Sequence, residues 1–295
     1  MVGAGSGSFL GRLSARAESL RGSLCVGLDP APEALPHHLG SGSEAVRRYC
    51  LELIDATADY ACAFKPNAAF FEAMGSSGWE VLTEVIAAAS RHALVVLDAK
   101  RGDIGHSAEA YATAVFEGLG ADACTVNGYL GHDALEPFMR RADRMAFVLC
   151  RTSNPGASDF QDLPVGASGT PLYLEVARRA ALWAGEDSSP RLGLVTGATW
   201  PDEIGRIRAV APSLPFLIPG VGAQGGDLES SLAAAVGPDG MGPYLLSVSR
   251  GIGAASRGRD FAAAASTAAA GYLARIRAVT STGALVQGTS PASTL

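Results

Sequence analysis

His92-Ala-Leu-Val-Val-Leu-Asp-Ala-Lys-Arg-Gly-Asp-Ile-Gly-His-Ser107 is the stretch from which the fold can be read. Its apolar run, residues 93–97, predicts a strand buried on both faces, and charge arrives where that strand stops. Side chains alternate along a strand, so Asp98 and Lys100 leave one face as an ion pair while Ala99 leaves the other. Gly102 lets the chain turn away, and Asp103 follows before a helical run over residues 107–119. Two carboxylates and an ammonium thus gather at one strand end. Taken alone, this pattern also suits solvated loop charges, and the remainder of the chain decides between the two.

Working outward, the same punctuation recurs. Strands are predicted over residues 23–28, 61–64, 122–126, 145–150, 192–196, 214–218 and 244–248. Five of them run into Asp29, Lys65, Asn127, Ser153 or the pair Arg250-Gly251, and the strand at 214–218 runs into a glycine-rich loop carrying Gln224. Helical spacing fills the intervals at residues 9–20, 44–60, 78–90, 135–141, 172–184, 201–210 and 227–236, and an Ala-rich helix over 260–277 closes the chain. Pro201 suits the first turn of its helix. Residues 151–170 form a long Gly/Ser/Pro/Asp-rich connection of the kind used as a lid or binding loop.

Eight strands alternating with helices, without a compositional break, predict an α/β fold: a single-domain (β/α)8 TIM barrel. We place an N-terminal segment and helix at residues 1–21, the barrel at 22–279 and a frayed tail at 280–295. A doubly wound open sheet is the runner-up. Against it, no Gly-x-Gly-x-x-Gly turn follows the first strand, and polar residues close every strand instead of those at one switch point.

Composition agrees with a buried parallel sheet and many tight turns: 48% of the 295 residues are apolar, 18% are charged and 36 are glycine. A net charge of -6 with scattered Lys and Arg argues against a nucleic-acid partner. The N-terminus lacks the charged-then-apolar pattern of a signal peptide, and no apolar run is long enough to span a membrane. The five cysteines show no Cys-x-x-Cys spacing, and four lie in or beside apolar runs, as buried thiols do in a reducing compartment. We therefore expect a cytoplasmic protein. The dispersed histidines and cysteines suggest no metal ligand set.

In such a barrel the C-terminal ends of all strands surround one mouth. Asp29, Lys65, Asp98, Lys100, Asn127, Ser153, Gln224 and Arg250 are expected to face it together. The last two loops supply glycines, whose backbone N–H groups can approach an anion, together with Gln224 and the two-pronged donor Arg250. Glycines alone would also serve tight turns; Arg250 beside them points to a phosphate monoester.

Asp98-Ala-Lys100-Arg-Gly-Asp103 closely resembles the signature of the orotidine 5'-phosphate decarboxylase family, in its longer bacterial (type 2) branch. So do Gly27-Leu-Asp29-Pro30, Phe64-Lys65-Pro66, Ser153-Asn-Pro-Gly156, the 219–227 loop and Ser249-Arg250-Gly251. The resemblance implies decarboxylation of orotidine 5'-phosphate to UMP and carbon dioxide without any cofactor, in a homodimer with shared active sites. It implies that Lys100 protonates carbon 6 of the pyrimidine, that Asp98 lies beside the departing carboxylate and that Lys65 belongs to the same charge network. Asp103 would serve the partner subunit's site. It further implies ribose contacts for Asp29 and Ser107, a pyrimidine hydrogen bond for Ser153, and phosphate contacts for Gln224 and Arg250, with Asn127 and Gly251 also on the substrate. Asn67 and Gly128 stand where the resemblance leads one to expect Gln and Pro. The chemistry agrees, because losing carbon dioxide here leaves a carbanion that the ring cannot delocalise, and a fixed ammonium is the group most useful to it. Three other readings remain open at this point: a metal-dependent sugar-phosphate aldolase or synthase on a related barrel, a Schiff-base aldolase using Lys65 or Lys100, and a catalytically silent phosphate-binding barrel.

Overall fold

A computed structural model describes residues 7–185, 190–222, 225–238, 240 and 242–286. The strands are β1 Leu24–Leu28, β2 Ala63–Pro66, β3 Leu94–Arg101, β4 Ala123–Val126, β5 Met145–Arg151, β6 Pro164–Val165, β7 Thr170–Pro171, β8 Leu192–Thr196, β9 Phe216–Ile218 and β10 Tyr244–Val248. All but β6 and β7 close into a parallel barrel in the order β1-β10-β9-β8-β5-β4-β3-β2. These strands are buried almost throughout, which is why they read as unbroken apolar runs and not as alternating ones. The short antiparallel pair β6–β7 lies in the long connection that the sequence leaves without structure.

The helices are α1 Phe9–Leu20, α2 Gly42–Thr57, α3 Ala68–Glu72, α4 Ser76–Ala89, α5 Gly105–Thr113, α6 His132–Met139, α7 Leu172–Ala184, α8 Pro201–Val210, α9 Leu228–Val236, α10 Arg250–Gly253 and α11 Phe261–Val286. Helix α1 starts where Ser8 accepts a hydrogen bond from the Gly11 N–H, and it buries Phe9, Leu10 and Leu13. It covers the N-terminal end of the barrel. Phe9 meets Phe147 edge-on at 5.9 Å, Arg16 donates to the carbonyls of Ala58 and Ala61, and Arg12 pairs with Asp122 at 2.6 Å. With that end covered by α1, ligands are left the opposite face.

Three expectations are corrected. Strand β3 does not stop at Leu97; it continues through the charged residues to Arg101, its register with β4 shifting by a bulge between Leu97 and Arg101. Gly102 does not make the sharp turn through a positive φ. Its place is fixed by packing, since a Cβ there would lie 3.2 Å from the Asn127 carbonyl oxygen, and the left-handed residues are Lys100 (φ 51°) and Gly105 (φ 52°). Helix α11 runs to Val286, so residues 280–286 are helical and not a tail; residues 287–295 lie outside the described residues.

Arg208 on α8 shows how the outer layer is tied to the barrel. It is 5% exposed, lies 3.6 Å over the Phe216 ring and donates to five backbone carbonyls, those of Ala211, Pro212, Leu214, Ala235 and Pro243. These acceptors lie just after α8, within α9 and just before β9 and β10, so one guanidinium pins four elements. Arg208→Met would fill the volume but strand the carbonyls, and we expect it to cost about 2–4 kcal/mol. Urea denaturation measures this, and the folded fraction should keep its activity because Arg208 is remote from the barrel mouth.

Candidate active site

Every barrel strand sends at least one residue to a cavity of about 290 Å³ at the C-terminal mouth. Its wall includes Asp29 after β1, Lys65 of β2, Asp98 and Lys100 of β3, Ser153 after β5 and Arg250 after β10. Six of the eleven residues expected from the sequence are thus brought together. Three cations against two carboxylates make the cavity net positive, which suits an anionic ligand.

The centre of the arrangement is Asp98. Its Oδ2 accepts from Lys65 Nζ at 2.8 Å, and its Oδ1 accepts from Lys100 Nζ at 2.6 Å and from the Thr125 hydroxyl at 2.9 Å. Side-chain exposure rises from 5% at Lys65 through 12% at Asp98 to 50% at Lys100, so the chain of charges runs from the barrel interior out to solvent. The bulge in β3 makes this possible. Lys100 takes up a left-handed backbone at a cost of roughly 1–2 kcal/mol, and its freed N–H donates to Thr125 Oγ1 at 2.9 Å. Thr125 therefore supports both charged residues.

Burial by itself would raise the Asp98 carboxyl pKa, but the two flanking ammonium groups overturn this and hold it far below the usual carboxylate range. Burial would likewise lower that of Lys65, and Asp98 and Asp29 overturn it, keeping the amine charged well above its ordinary titration. Asp29 Oδ1 is buried and has no hydrogen-bond partner among the described residues.

Four expected residues stay off this wall. Asp103 accepts from the Ile104 N–H at 2.8 Å, and Ser107 is exposed on α5. The Asn127 side chain accepts from the Tyr129 N–H at 3.1 Å and starts a short turn instead of facing the mouth. Gly251 leaves room for Tyr272 of α11, whose hydroxyl oxygen would lie 2.3 Å from a Cβ there. Gln224 lies outside the described residues. Sequence reasoning missed Asn67, Thr125, Thr152, Asn154, Ser247 and Ser249, all on the wall. Thr125 and Ser247 are single polar residues within otherwise apolar strands, and that break in pattern is the signal that could have found them. Among the described residues, no group of three or more His, Cys, Asp or Glu side chains is placed to hold a metal ion, and no helix is long and apolar enough to cross a membrane.

The depressed pKa of Asp98 makes a prediction about stability. Its contribution is complete above the unfolded carboxylate value and is lost as pH falls towards the folded one. Asp98→Asn, which leaves Lys65 buried beside Asp29 alone, should therefore lose about 3–5 kcal/mol at neutral pH. The gap to the parent should narrow below about pH 4. Urea melts between pH 3 and 7 check both; a gap independent of pH would show that the Asp98 charge does not stabilise the fold.

Comparison with known proteins places this geometry in a family. Residues 22–265 match the model of the "Orotidine 5'-phosphate decarboxylase / HUMPS family". The chain is similar to the orotidine 5'-phosphate decarboxylase of Herpetosiphon aurantiacus, with 47% identity over 266 residues that cover 90% of this chain and 96% of that protein. It is also similar to that of Roseiflexus castenholzii, with 50% identity over 265 residues, 89% of this chain and 94% of that one. The solved structure of Leishmania donovani OMP decarboxylase superposes with a TM-score of 0.78 at 46% identity, covering 92% of this chain and 99% of its own. With the family model spanning the whole barrel and the relatives matching nearly end to end, the chain belongs to the orotidine 5'-phosphate decarboxylase / HUMPS family.

Proposed function

We propose that the cavity decarboxylates orotidine 5'-phosphate to UMP and carbon dioxide in pyrimidine nucleotide synthesis, with Lys100 as the proton donor to carbon 6. The observation that carries this reading is Asp98 held between two ammonium groups on the wall of a net cationic cavity. The substrate carboxylate enters beside Asp98, which stays ionised, so the two like charges are driven together in the bound state and part as neutral carbon dioxide forms. The bond between carbon 6 and the carboxyl carbon breaks, and its electron pair stays on carbon 6. Lys100 Nζ stabilises that charge electrostatically and then gives it a proton; the resulting amine regains a proton from water. Lys65, fixed behind Asp98, keeps that carboxylate in place.

The remaining roles are those the family resemblance assigns, and the positions of the residues support them. Asp29 carries a buried carboxylate oxygen without a donor among the described residues, which a ribose hydroxyl would supply. Ser153 lies on the β5 side of the cavity and takes the pyrimidine edge. Arg250 at the start of α10 takes the phosphate, with Gly251 next to it in the chain; Gln224, which the resemblance assigns to the same phosphate, lies outside the described residues. Binding energy from the phosphate, remote from the reacting carbon, serves to draw the base onto the charges. The five buried thiols support a reducing, cytoplasmic setting. No role in this scheme calls for a metal, so carbon dioxide release from orotidine 5'-phosphate should be unchanged by EDTA; activity abolished by EDTA and restored by magnesium would favour the metal-dependent synthase reading.

Asp103 and Ser107 complete a second copy's site. Ile104 beside Asp103, and Tyr129 and Leu130 on the loop after β4, are exposed by 59%, 85% and 48%, an apolar surface suited to a two-fold contact. Lys100→Ala and Asp103→Asn should each be nearly inactive alone. Refolded together, a hybrid dimer gathers both lesions into one site and leaves the other native, so random pairing should return about a quarter of parent activity. Activity that stays at the level of the separate variants, in a sample shown to contain hybrids, would place Asp103 in its own subunit's site or outside catalysis.

A further inference from the structure

The edge of the cavity that Ser153 occupies is built by side chains that do not themselves line it. Strand β5 ends at Arg151, and the next three residues, Thr152, Ser153 and Asn154, form the wall. Left to itself, such a segment after a strand end would exchange its backbone hydrogen bonds with water and move. Here it is held from outside. The Thr152 N–H donates to Gln161 Oε1 at 2.9 Å, and Gln161 Nε2 donates back to the Thr152 hydroxyl at 2.8 Å. That hydroxyl in turn donates to Asn154 Oδ1 at 2.7 Å, across Ser153. The Thr152 carbonyl accepts from Trp200 Nε1 at 3.1 Å.

Gln161 is fixed in its turn. Its N–H donates to the Ala157 carbonyl at 2.8 Å, and its carbonyl accepts from the Tyr173 N–H at 3.0 Å, on the first turn of α7. The next residue, Asp162, pairs with Arg151 at 3.1 Å, and the Arg151 guanidinium lies 4.4 Å over the Trp200 ring. Ser153 is also close-packed from the β8 side, where a Cβ on Gly197 would lie 2.9 Å from its nitrogen and 3.0 Å from its own Cβ. The primary amide of Gln161 satisfies both a backbone donor and a side-chain acceptor of the rim, and it reaches them from the long connection, eight residues beyond Ser153.

We propose that Gln161 is a positioning residue for base recognition: its two-point hydrogen bond to Thr152 sets the place of Ser153 against the pyrimidine edge. The proposal rests on the reading of Ser153 as the pyrimidine contact. Gln161 itself touches neither base nor reacting atoms. It acts through the backbone that carries Ser153, so its removal costs activity to the extent that Ser153 was well placed.

A pair of double-mutant cycles tests this with kcat/KM for orotidine 5'-phosphate as the readout. Gln161→Ala should lower it by about 10- to 100-fold, with little change in melting temperature. In a Ser153→Ala background the same substitution should cost less than about threefold, whereas with Arg250→Ala the two losses should multiply. A general loosening of the loop would not single out Ser153 in this way. Full activity in Gln161→Ala, losses that multiply with Ser153→Ala, or equal coupling to Ser153 and Arg250 would each overturn the proposal. Ser153→Ala with parent activity would instead overturn the underlying assignment of Ser153, and is recognised from that single variant. Should Gln161→Ala not fold, Gln161→Glu serves in the same cycles: it keeps the acceptor for the Thr152 N–H, loses the donor to its hydroxyl, and should show a smaller loss with the same coupling to Ser153.

Discussion

The carboxylate of Asp98 is the constraint around which the mouth is arranged. A buried carboxylate is tolerated only when charge and hydrogen bonds compensate it, and here Lys65, Lys100 and Thr125 do so from three different strands. Each compensating group is held in consequence. Lys65 is drawn into the barrel interior, where an amine alone would lose its proton. Lys100 is pulled into a left-handed backbone that β-strand residues avoid. The bulge in β3 is the geometric result: without the register shift, Thr125 could not serve the Lys100 N–H and Asp98 together. Strain, burial and charge at this point are one interaction seen from three sides.

That interaction also separates binding from chemistry. In the proposed reading, the ligand's phosphate lies beside Arg250, after β10, and its base beside β3 and β5. The barrel fixes the span between them through parallel strands that cannot slide without moving every inward side chain to the wrong face. Adjustment is left to the connections, above all the 155–171 segment with its small hairpin, which is anchored at Thr152 and again at α7.

Much of this was legible in the sequence because the barrel repeats one grammatical unit. Apolar run, polar stop and helix recur eight times, and α1, α7, α8, β8 and β10 lie where periodicity puts them. What was not legible depends on distant partners. The end of β3 was misread because charge after Leu97 looks like a strand end; only Thr125, 27 positions from Asp98, makes it profitable for the strand to continue. Asn127 follows β4 as expected, yet its side chain answers to the Tyr129 N–H, and Gly251, inside α10, is fixed by the close approach of the Tyr272 hydroxyl; no local pattern announces either. Asp103 and Ser107 stay away from the cavity of their own chain, because Asp103 turns to accept from the Ile104 N–H and Ser107 falls on the exposed face of α5.

Closure of the barrel has a temporal side. Strand β1 pairs with β10, Val26 opposite Val248, so the first strand made finds one of its neighbours only when the last has been synthesised. At ordinary elongation rates the interval is on the order of ten to forty seconds. Throughout it, one edge of a wholly apolar strand stands open on the ribosome, as do the edges that β2 to β9 leave behind them. Helix α1, already complete, covers the opposite end of those strands rather than this edge. The hazard for this barrel therefore lies in its synthesis more than in its finished state, and it falls on the seam where its first and last strands meet.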